Sequence, residues 1–433
     1  MNARKILFIF LSFLMTSSLL AQTEMSISLK QARDYAIEHN RSMINSDYAV
    51  DKSRLALKEA IANGLPQLNA SADYTNALGA KISIRFMEGA PPTEIDIKPQ
   101  SNFYLNLNQL IFNGNYIVGI QLAKLSQEMS LLNKEKTENE VISNVTDAYH
   151  MVLLSEKLLE ILNQNVDNLR SLYEKTVPAA RVGVIEQTNL DQLFVQVNSL
   201  QNMQSSAERQ AELAKNLLRL QLGADINTQL VLTDSLEQLL NDAAIENLMM
   251  KNFDLSGNID FRMIEQQEAL TSKMIDLKRA SYLPTLAGFY RYTYKLIKPD
   301  FDMSPANMVG LQLNIPLFSS GLRAAQTKQA RIDLLTVKNN KQQVADQLRT
   351  HEKQLRFNLS NALENHENQK ESIEVSRRVY ANLKLKYEQG LLSGLDLINA
   401  DNNYLKAESD YINSTMQVLS ARLQLEKLYG TIQ

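Results

Sequence analysis

The segment Val182-Gly183-Val184, followed by Asn189-Leu190, returns 207 residues later as Gln389-Gly390-Leu391, followed by Asp396-Leu397. Three further pairs of segments keep the same order along the chain. They are Leu65–Leu68 with Leu283–Leu286, Leu105–Asn108 with Leu311–Asn314, and Leu218–Gly223 with Leu425–Gly430. An internal repeat fixes the architecture before any local motif does. We therefore predict two copies of one arrangement, in which a helix, a strand pair, a very long helix and a shorter return helix follow one another.

The repeat divides the chain into segments. We predict a first copy over residues 22–226, an inter-repeat linker over 227–257 that breaks the long-helix pattern, and a second copy over 258–433. Residues 1–21 have the three parts of a secretory signal peptide: the basic pair Arg4-Lys5, the apolar run Ile6–Met15, and a polar segment ending at Ala21. The apolar run is too short to span a bilayer comfortably, so we expect cleavage after Ala21 rather than a membrane anchor.

The composition excludes several classes of protein. Of 433 residues, 44% are hydrophobic and 21% are charged, with a net charge of -3, which argues against disorder and against a nucleic-acid-binding surface. The absence of cysteine rules out disulfides, cysteine metal sites and a lipidated cysteine after the signal. After the signal, no stretch reaches the roughly 18 apolar residues of a transmembrane helix. Any membrane-spanning part must therefore be made of strands.

The sequence also contains no pattern of catalytic residues. His39, His150, His351 and His366 lie far apart, without a second histidine at metal-ligand spacing, so we predict solvated helical residues and no metal site. There is no glycine-rich phosphate loop and no nucleophile elbow. The carboxylates alternate with Lys and Arg on helix faces, which is typical of a solvated surface. We predict that the protein is not an enzyme and needs no cofactor.

Each copy contains two segments in which apolar and polar residues alternate. They are Leu68–Thr75 and Phe103–Asn108 in the first copy, and Tyr290–Lys295 and Val309–Ile315 in the second. This alternation is typical of outer-membrane barrel strands, although a half-exposed sheet in a soluble domain shows it too. Tyr290, Tyr292 and Tyr294 favour the barrel, because aromatic residues concentrate where a barrel meets the lipid interface. The polar connection around Gly89-Ala90-Pro91-Pro92 is predicted to be a loop.

Helical periodicity covers most of the remaining chain. We predict a helix over Leu29–Asn63, which Gly64 and Pro66 end. Neither Tyr116–Thr176 nor Gln326–Gln389 contains proline, and a helix of 60 to 65 residues would be about 90–100 Å long. No globular domain requires such a helix, so each must lie along a partner.

The return helices carry apolar and small residues in a seam with alternating spacings of four and three. In the second copy the seam is Ala400, Tyr404, Ala407, Tyr411, Ser414, Val418, Ala421, Leu425 and Leu428, and in the first it is Leu193, Val197, Leu200, Gln204, Ala207, Ala211, Ala214, Leu218 and Gln221. Small residues allow helices to approach closely. The polar members weaken the seam for a free two-stranded coiled coil, so several helices sharing the seam fit better.

Four strands per chain cannot satisfy their edges in lipid, so a membrane-spanning sheet requires several copies of the chain. Three copies would give twelve strands, which is within the range that encloses a lumen. The strands lead directly into the long helices, so such a tube would continue as a helical cylinder.

The chain resembles the outer-membrane factor (TolC-like) efflux family over essentially its whole mature length. The resemblance rests on the doubled element order, on Leu-Pro-x-Leu before the first strand of each copy, and on Tyr387, Gly390, Asp396-Leu397 and Ala400 at their spacing. It implies a mainly α fold with a transmembrane β-barrel contribution: a homotrimeric channel-tunnel with a 12-stranded barrel in outer-membrane lipid and an α-helical barrel in the periplasm. It also implies that a periplasmic adaptor and an inner-membrane pump deliver substrates to the channel, and that the linker forms a belt around the tunnel.

The resemblance also implies a gate at the periplasmic tip, where the family has two aspartate rings braced by a Tyr and an Arg. Asp396 occupies the first ring position and Tyr387 the position of the bracing Tyr. Asn399 stands at the second ring position and Leu392 at the Arg position, so this gate would carry about half of the usual tip charge. An Asp just after a turn also commonly caps a helix or interacts with its dipole, and both roles stay open for Asp396.

The glycine turns at the helix tips are where relatives dock the adaptor. The corresponding residues here are Val182, Gly183 and Val184 in the first copy, and Gln389, Gly390 and Leu391 in the second. The alternative function is a soluble periplasmic coiled-coil scaffold or adaptor-like protein without a pore. Within the channel hypothesis, drugs, metals and polypeptides all stay open as cargo.

Overall fold

The computed structural model describes residues 24–432 except 86, 88, 90, 184, 241 and 298–303. The predicted signal peptide, residues 1–21, lies outside the described residues. The strands β1–β8 are Glu24–Ile27, Gln67–Thr75, Lys81–Ile84, Thr93–Asp96, Gln100–Asn113, Gln229–Leu232, Thr285–Ile297 and Asn307–Asn314. The helices α1–α9 are Leu29–His39, Arg41–Ala62, Gly114–Arg181, Gln187–Leu222, Leu236–Leu239, Asp242–Met250, Ile259–Ala280, Leu322–Glu388 and Gly394–Tyr429, with a 3₁₀ turn at Leu255–Gly257.

Both very long helices are confirmed. Helix α3 has 68 residues and α8 has 67, and each is followed by a 36-residue return helix, α4 or α9. Helix α3 extends past the predicted end and includes Pro178 in its last turns. Each return helix ends at a glycine with left-handed backbone geometry, Gly223 or Gly430, because a residue without Cβ adopts that conformation without strain.

The single helix predicted over residues 29–63 is wrong, because the structure has two helices that meet at Asn40. The backbone of Asn40 is extended (φ -64°, ψ 132°). Its side chain accepts a hydrogen bond from Ser42 N at 2.7 Å and donates one to the Gln221 carbonyl at 2.6 Å. A buried asparagine that caps the second helix and bonds to a distant chain segment therefore replaces one turn of helix.

The chain divides into two units. Of the described residues, those within 24–46, 134–259 and 345–432 form the helical unit, and those within 47–133 and 260–344 form the sheet unit. In the helical unit the predicted seams are at the interfaces: of the α9 seam, Ala400, Ala407, Ser414, Val418 and Leu425 are buried. Helices α4 and α9 contact each other, and Gln196 Nε2 donates to Asn402 Oδ1 at 2.7 Å.

The residues predicted to link the two copies contain their own secondary structure. Strand β6 pairs in parallel with β1, from Glu24↔Gln229 to Ile27↔Leu232. The Tyr149 hydroxyl of α3 lies 3.1 Å from the Ile27 carbonyl oxygen and 3.0 Å from Asp234 Oδ2, which fixes this small sheet to the long helix. Nothing in the local sequence pattern predicts the β1–β6 pair, because its partners lie about 200 residues apart.

The sheet unit contains one four-stranded antiparallel sheet in the order β2-β5-β7-β8. All four predicted strands are confirmed, and the two pairs join through β5 and β7. The connection between β2 and β5 is irregular at Gly89 and at Pro91-Pro92, as predicted, but the prediction missed the β3–β4 hairpin that flanks these residues. Ile82 pairs with Ile95 there, and Lys81 Nζ lies 3.1 Å from Glu94 Oε2. Branched apolar residues favour strands even inside a polar connection.

Two of the four histidines differ from the prediction. His39 and His351 are exposed as predicted, whereas His150 and His366 are buried, with 4% and 7% of their surface exposed. Burial, with Arg33 and Arg422 nearby, lowers the pKa of His150 to about 4. The described part of the chain holds no group of three or more residues suited to bind a metal ion.

Among the described residues, no helix is both long and apolar enough to cross a membrane.

Candidate functional site

The two long helices end in exposed turns built on glycine. After α3, Gly183 has φ +76°, and Val182 is 73% exposed. After α8, Gly390 has φ +72°, and Leu391 N donates to the Lys386 carbonyl at 2.9 Å, which closes the end of the helix. Gln389, Gly390 and Leu391 are all exposed. Val184, the remaining predicted tip residue, lies outside the described residues.

Asp396 lies in the first turn of α9 and is exposed. The cap of this helix is Ser393, whose Oγ accepts a hydrogen bond from Asp396 N at 3.2 Å and donates one to Asp396 Oδ2 at 2.6 Å. The carboxylate thus stands beside the free N–H groups of the helix start, where negative charge is stabilised. Asp396 therefore has a local role at this helix start, in which its carboxylate interacts with the helix dipole.

Three of the four predicted gate residues line one groove between α8 and α9, with a volume of about 700 Å³. Asp396 and Asn399 provide polar groups along α9, and the half-buried Leu392 lies at the end of the groove. The α8 side is largely apolar. The complete lining consists of Val375, Ser376, Val379, Leu383, Leu392, Asp396, Asn399, Ala400 and Asn403.

Tyr387, the fourth predicted gate residue, does not line this groove. It is only 8% exposed, and its hydroxyl lies 3.3 Å from Thr176 Oγ1 of α3. The aromatic ring belongs to the main apolar core of the helical unit. Tyr387 therefore fastens the end of α8 to α3 within one chain.

A buried carboxyl that the sequence analysis did not single out lies behind the groove. Asp401 is 1% exposed, and the Tyr380 hydroxyl of α8 donates a hydrogen bond to it. Asp401 Oδ2 has no hydrogen-bond partner in the part of the chain that the structure describes. Burial raises the pKa of Asp401 to about 6, because an apolar environment disfavours the charged form.

The sheet unit carries a second functional feature, an apolar face that crosses all four strands. The register aligns Leu68, Leu107, Tyr290 and Val309 in one row, and the row beside it contains Leu105 and Tyr292. Val309 is 81% exposed and Leu68 63%. The opposite face presents polar residues such as Asn106 and Arg291, which hydrogen-bond at 2.8 Å. A sheet with one exposed apolar face and one polar face fits a boundary between a nonpolar and an aqueous phase.

The sequence matches the family model described as outer membrane efflux protein over residues 32–224 and 254–431. Outer membrane protein TolC from Salmonella enteritidis is 20% identical over 425 residues, which cover 96% of this chain and 84% of that protein.

Solved structures show the same fold. The Campylobacter jejuni CmeC outer membrane channel superposes with a TM-score of 0.74 at 17% identity, covering 96% of this chain and 90% of that one. A membrane protein from Pseudomonas aeruginosa superposes with a TM-score of 0.75 at 17% identity, covering 93% and 92% of the two chains.

Proposed function

This chain belongs to the outer membrane efflux protein family, and from that premise we propose that it forms an outer-membrane channel that passively conducts substrates out of the periplasm. The channel is a homotrimer whose strands form a barrel in outer-membrane lipid and whose helices form a periplasmic tunnel. It works in a tripartite system, in which an inner-membrane pump and a periplasmic adaptor deliver the substrate. It catalyses no reaction.

The exposed apolar face of the sheet is the observation that favours the channel over a soluble scaffold. A soluble protein would leave Leu68, Val309 and their neighbours in water, where large apolar patches are rare. In lipid the same face is stabilised. The outer strands β2 and β8 each have one edge without a pairing partner among the described residues, and pairing β8 of one copy with β2 of the next would close the sheet.

We propose that the groove between α8 and α9 forms the periplasmic gate. Its support is that Asp396 and Asn399 are exposed on one side of α9, so that symmetric copies would present rings of these side chains. Leu392, at the position of the bracing Arg of the family, contributes an apolar contact in place of a charge. Tyr387 contributes by holding α8 against α3 rather than by facing the pore.

We propose that the adaptor docks on the tip turns, formed by Val182 to Val184 and by Gln389 to Leu391. Exposed glycine backbone allows a partner hairpin to approach closely, and the exposed side chains of Val182 and Leu391 offer it apolar area.

The chain is divided into copies at residues 22–226 and 258–433, and residues 227–257 form the belt between them.

Fractionation of membranes tests this function. We expect the full chain in the outer-membrane fraction as an oligomer that dissociates only on heating, and we expect the purified oligomer to form channels in planar bilayers. Recovery as a periplasmic protein that forms no channels would support the soluble scaffold instead. Identification of the pump and adaptor that co-purify with the channel would separate drug, metal and polypeptide cargo.

A further inference from the structure

Asp401 lies five residues beyond Asp396 on α9, and it is almost completely enclosed. A buried carboxylate is expensive unless hydrogen bonds or a cation compensate its charge. The Tyr380 hydroxyl donates to one oxygen, whereas Oδ2 has no hydrogen-bond partner among the described residues. The carboxyl therefore lies in a site that suits its protonated form better than its charged form.

The charged groups around Asp401 do not reverse this preference. From α8, Lys384 favours the charged form, but its influence is weaker than the effect of burial. On α9 itself, Glu408 disfavours the charged form. From α3, Lys157 favours the charged form of Glu408, although burial raises the pKa of Glu408.

A chain of contacts links Asp401 to both neighbouring helices. The Tyr380 ring stacks on Tyr404 of α9, with ring centres 5.7 Å apart and planes inclined by 11°. The Tyr404 hydroxyl is hydrogen-bonded to Glu408, which also accepts a hydrogen bond from Asn165 of α3 at 3.5 Å. The protonation state of one carboxyl thus acts on the packing of α8 and α9 directly behind the groove that contains Asp396.

We propose that Asp401 is a proton-responsive positioning residue of the gate, whose protonation tightens α8 against α9 and whose ionisation loosens them. This inference rests on the gate proposed above. The folded-state pKa of about 6 lies above the ordinary value of 3.8. The contact between α8 and α9 is therefore strongest below pH 3.8, weakens as the pH rises from 3.8 to about 6, and changes no further above that. The difference between the two values corresponds to about a hundredfold change in the equilibrium for local opening.

Hydrogen exchange of the full-length trimer between pH 5 and 8 tests the proposal, with rates expressed as protection relative to the intrinsic rate at each pH. In the wild type we expect protection across residues 376–404 to fall about tenfold over this range, with the midpoint of the opening equilibrium near pH 6. Asp401→Asn, which mimics the neutral form, should stay protected throughout. Tyr380→Phe removes the hydrogen bond that favours the charged form and should move the midpoint to higher pH. Asp410→Asn, which removes a half-buried carboxylate that pairs with Lys406 on the same helix, should behave as the wild type.

Single-channel recordings on the same preparations should show longer closed times below pH 6 in the wild type and no such change in Asp401→Asn. Protection that does not vary with pH in the wild type, or an Asp401→Asn variant with the wild-type profile, would overturn the proposal. If Asp401→Asn does not assemble, Tyr380→Phe serves instead, and an unchanged pH midpoint of protection in that variant would also overturn the proposal. If hydrogen exchange depends on pH but no channel current is observed, the channel function is refuted. If channel current is observed but its closed times do not depend on pH, only this role of Asp401 is refuted.

Discussion

Replacing Leu311 with arginine tests which face of the sheet meets lipid. Leu311 lies on the apolar face of β8 and is 72% exposed. Its register partner on β7 is Gly288, so no side chain from that strand position covers it. Gln312, the next residue, is also exposed but points to the opposite, polar face. Leu311→Arg and Gln312→Arg therefore form a matched pair that differs only in the face that receives the charge.

The expected penalty follows from the phase that each face contacts. An arginine on the lipid face of a barrel costs about 2–4 kcal/mol near the bilayer midplane and about 0–1 kcal/mol near the interfaces. At the midplane this corresponds to a loss of about 30-fold to 1,000-fold in the folding equilibrium of each protomer. Gln312→Arg replaces one polar side chain with another on the face that an aqueous lumen would contact, so its cost should be close to zero.

The assay is the yield of heat-modifiable oligomer in outer-membrane fractions, together with the urea midpoint of the purified oligomer. We expect Leu311→Arg to lower both and Gln312→Arg to leave both close to wild type. In water, an arginine replacing a largely exposed leucine costs little. Equal behaviour of the two variants would therefore mean that the apolar face contacts water, and the membrane assignment of this sheet would be refuted.

Three other substitutions test the helical unit. Asp396→Ala should weaken the block of single-channel current by divalent cations, because it removes the carboxylate from the proposed ring. Gly223→Ala should lower the free energy of unfolding by more than about 1 kcal/mol, and the thermal midpoint with it. The reason is that Gly223 has φ +75° and that a Cβ would lie 2.3 Å from the His39 carbonyl oxygen. Tyr149→Phe should cost about 1–3 kcal/mol in urea unfolding, because it removes a buried hydroxyl shared by Ile27 and Asp234.

Each of these variants has a control within the chain. Asp410→Asn should leave the cation block unchanged, and an unaltered block in Asp396→Ala would remove that residue from the ring. For Gly223 the control is Gly257→Ala, since its Cβ would meet no described atom within 4 Å, and equal midpoints would refute the steric argument. Tyr48→Phe, at a position 67% exposed, controls for Tyr149→Phe. Matching losses in these two would show that the buried hydroxyl is not the cause.

The sequence predicts those elements whose periodicity is sustained over many residues. Helices α3 and α8 and the four strands of the sheet are found where their patterns place them. The missed features depend on contacts between distant segments. Asn40 interrupts a helical pattern because its side chain bonds to Gln221, and β1 forms a strand because β6 lies beside it. Neither partner is visible from the local pattern, since each bond forms only in the folded chain.

The candidate site divides in the same way. The family resemblance implies gate positions at Asp396, Asn399 and Leu392, and the structure brings these three residues to one groove. Asp401 was missed because an acidic residue beside the seam member Ala400 is normally a solvated flank of a helix. Its hydrogen-bond partner Tyr380 lies on another helix, 21 residues earlier in the chain. The signal available in the sequence was an acidic residue between the seam members Ala400 and Tyr404. The position of α8, which the sequence does not reveal, is needed to recognise it as buried.

The difference between the two copies at the tip has a packing reason. Gly394, the first residue of α9, is buried, and a Cβ there would meet the Asn189 side chain at 3.5 Å, so the starts of α4 and α9 lie close together. A second aspartate at position 189 would bring another negative charge towards the helix start that already holds Asp396. In the first copy the cap residue Glu186 makes no side-chain capping bond within the described structure, whereas Ser393 caps the second and bonds to Asp396. A neutral Asn189 therefore avoids a further negative charge beside Asp396 where the two helix starts approach.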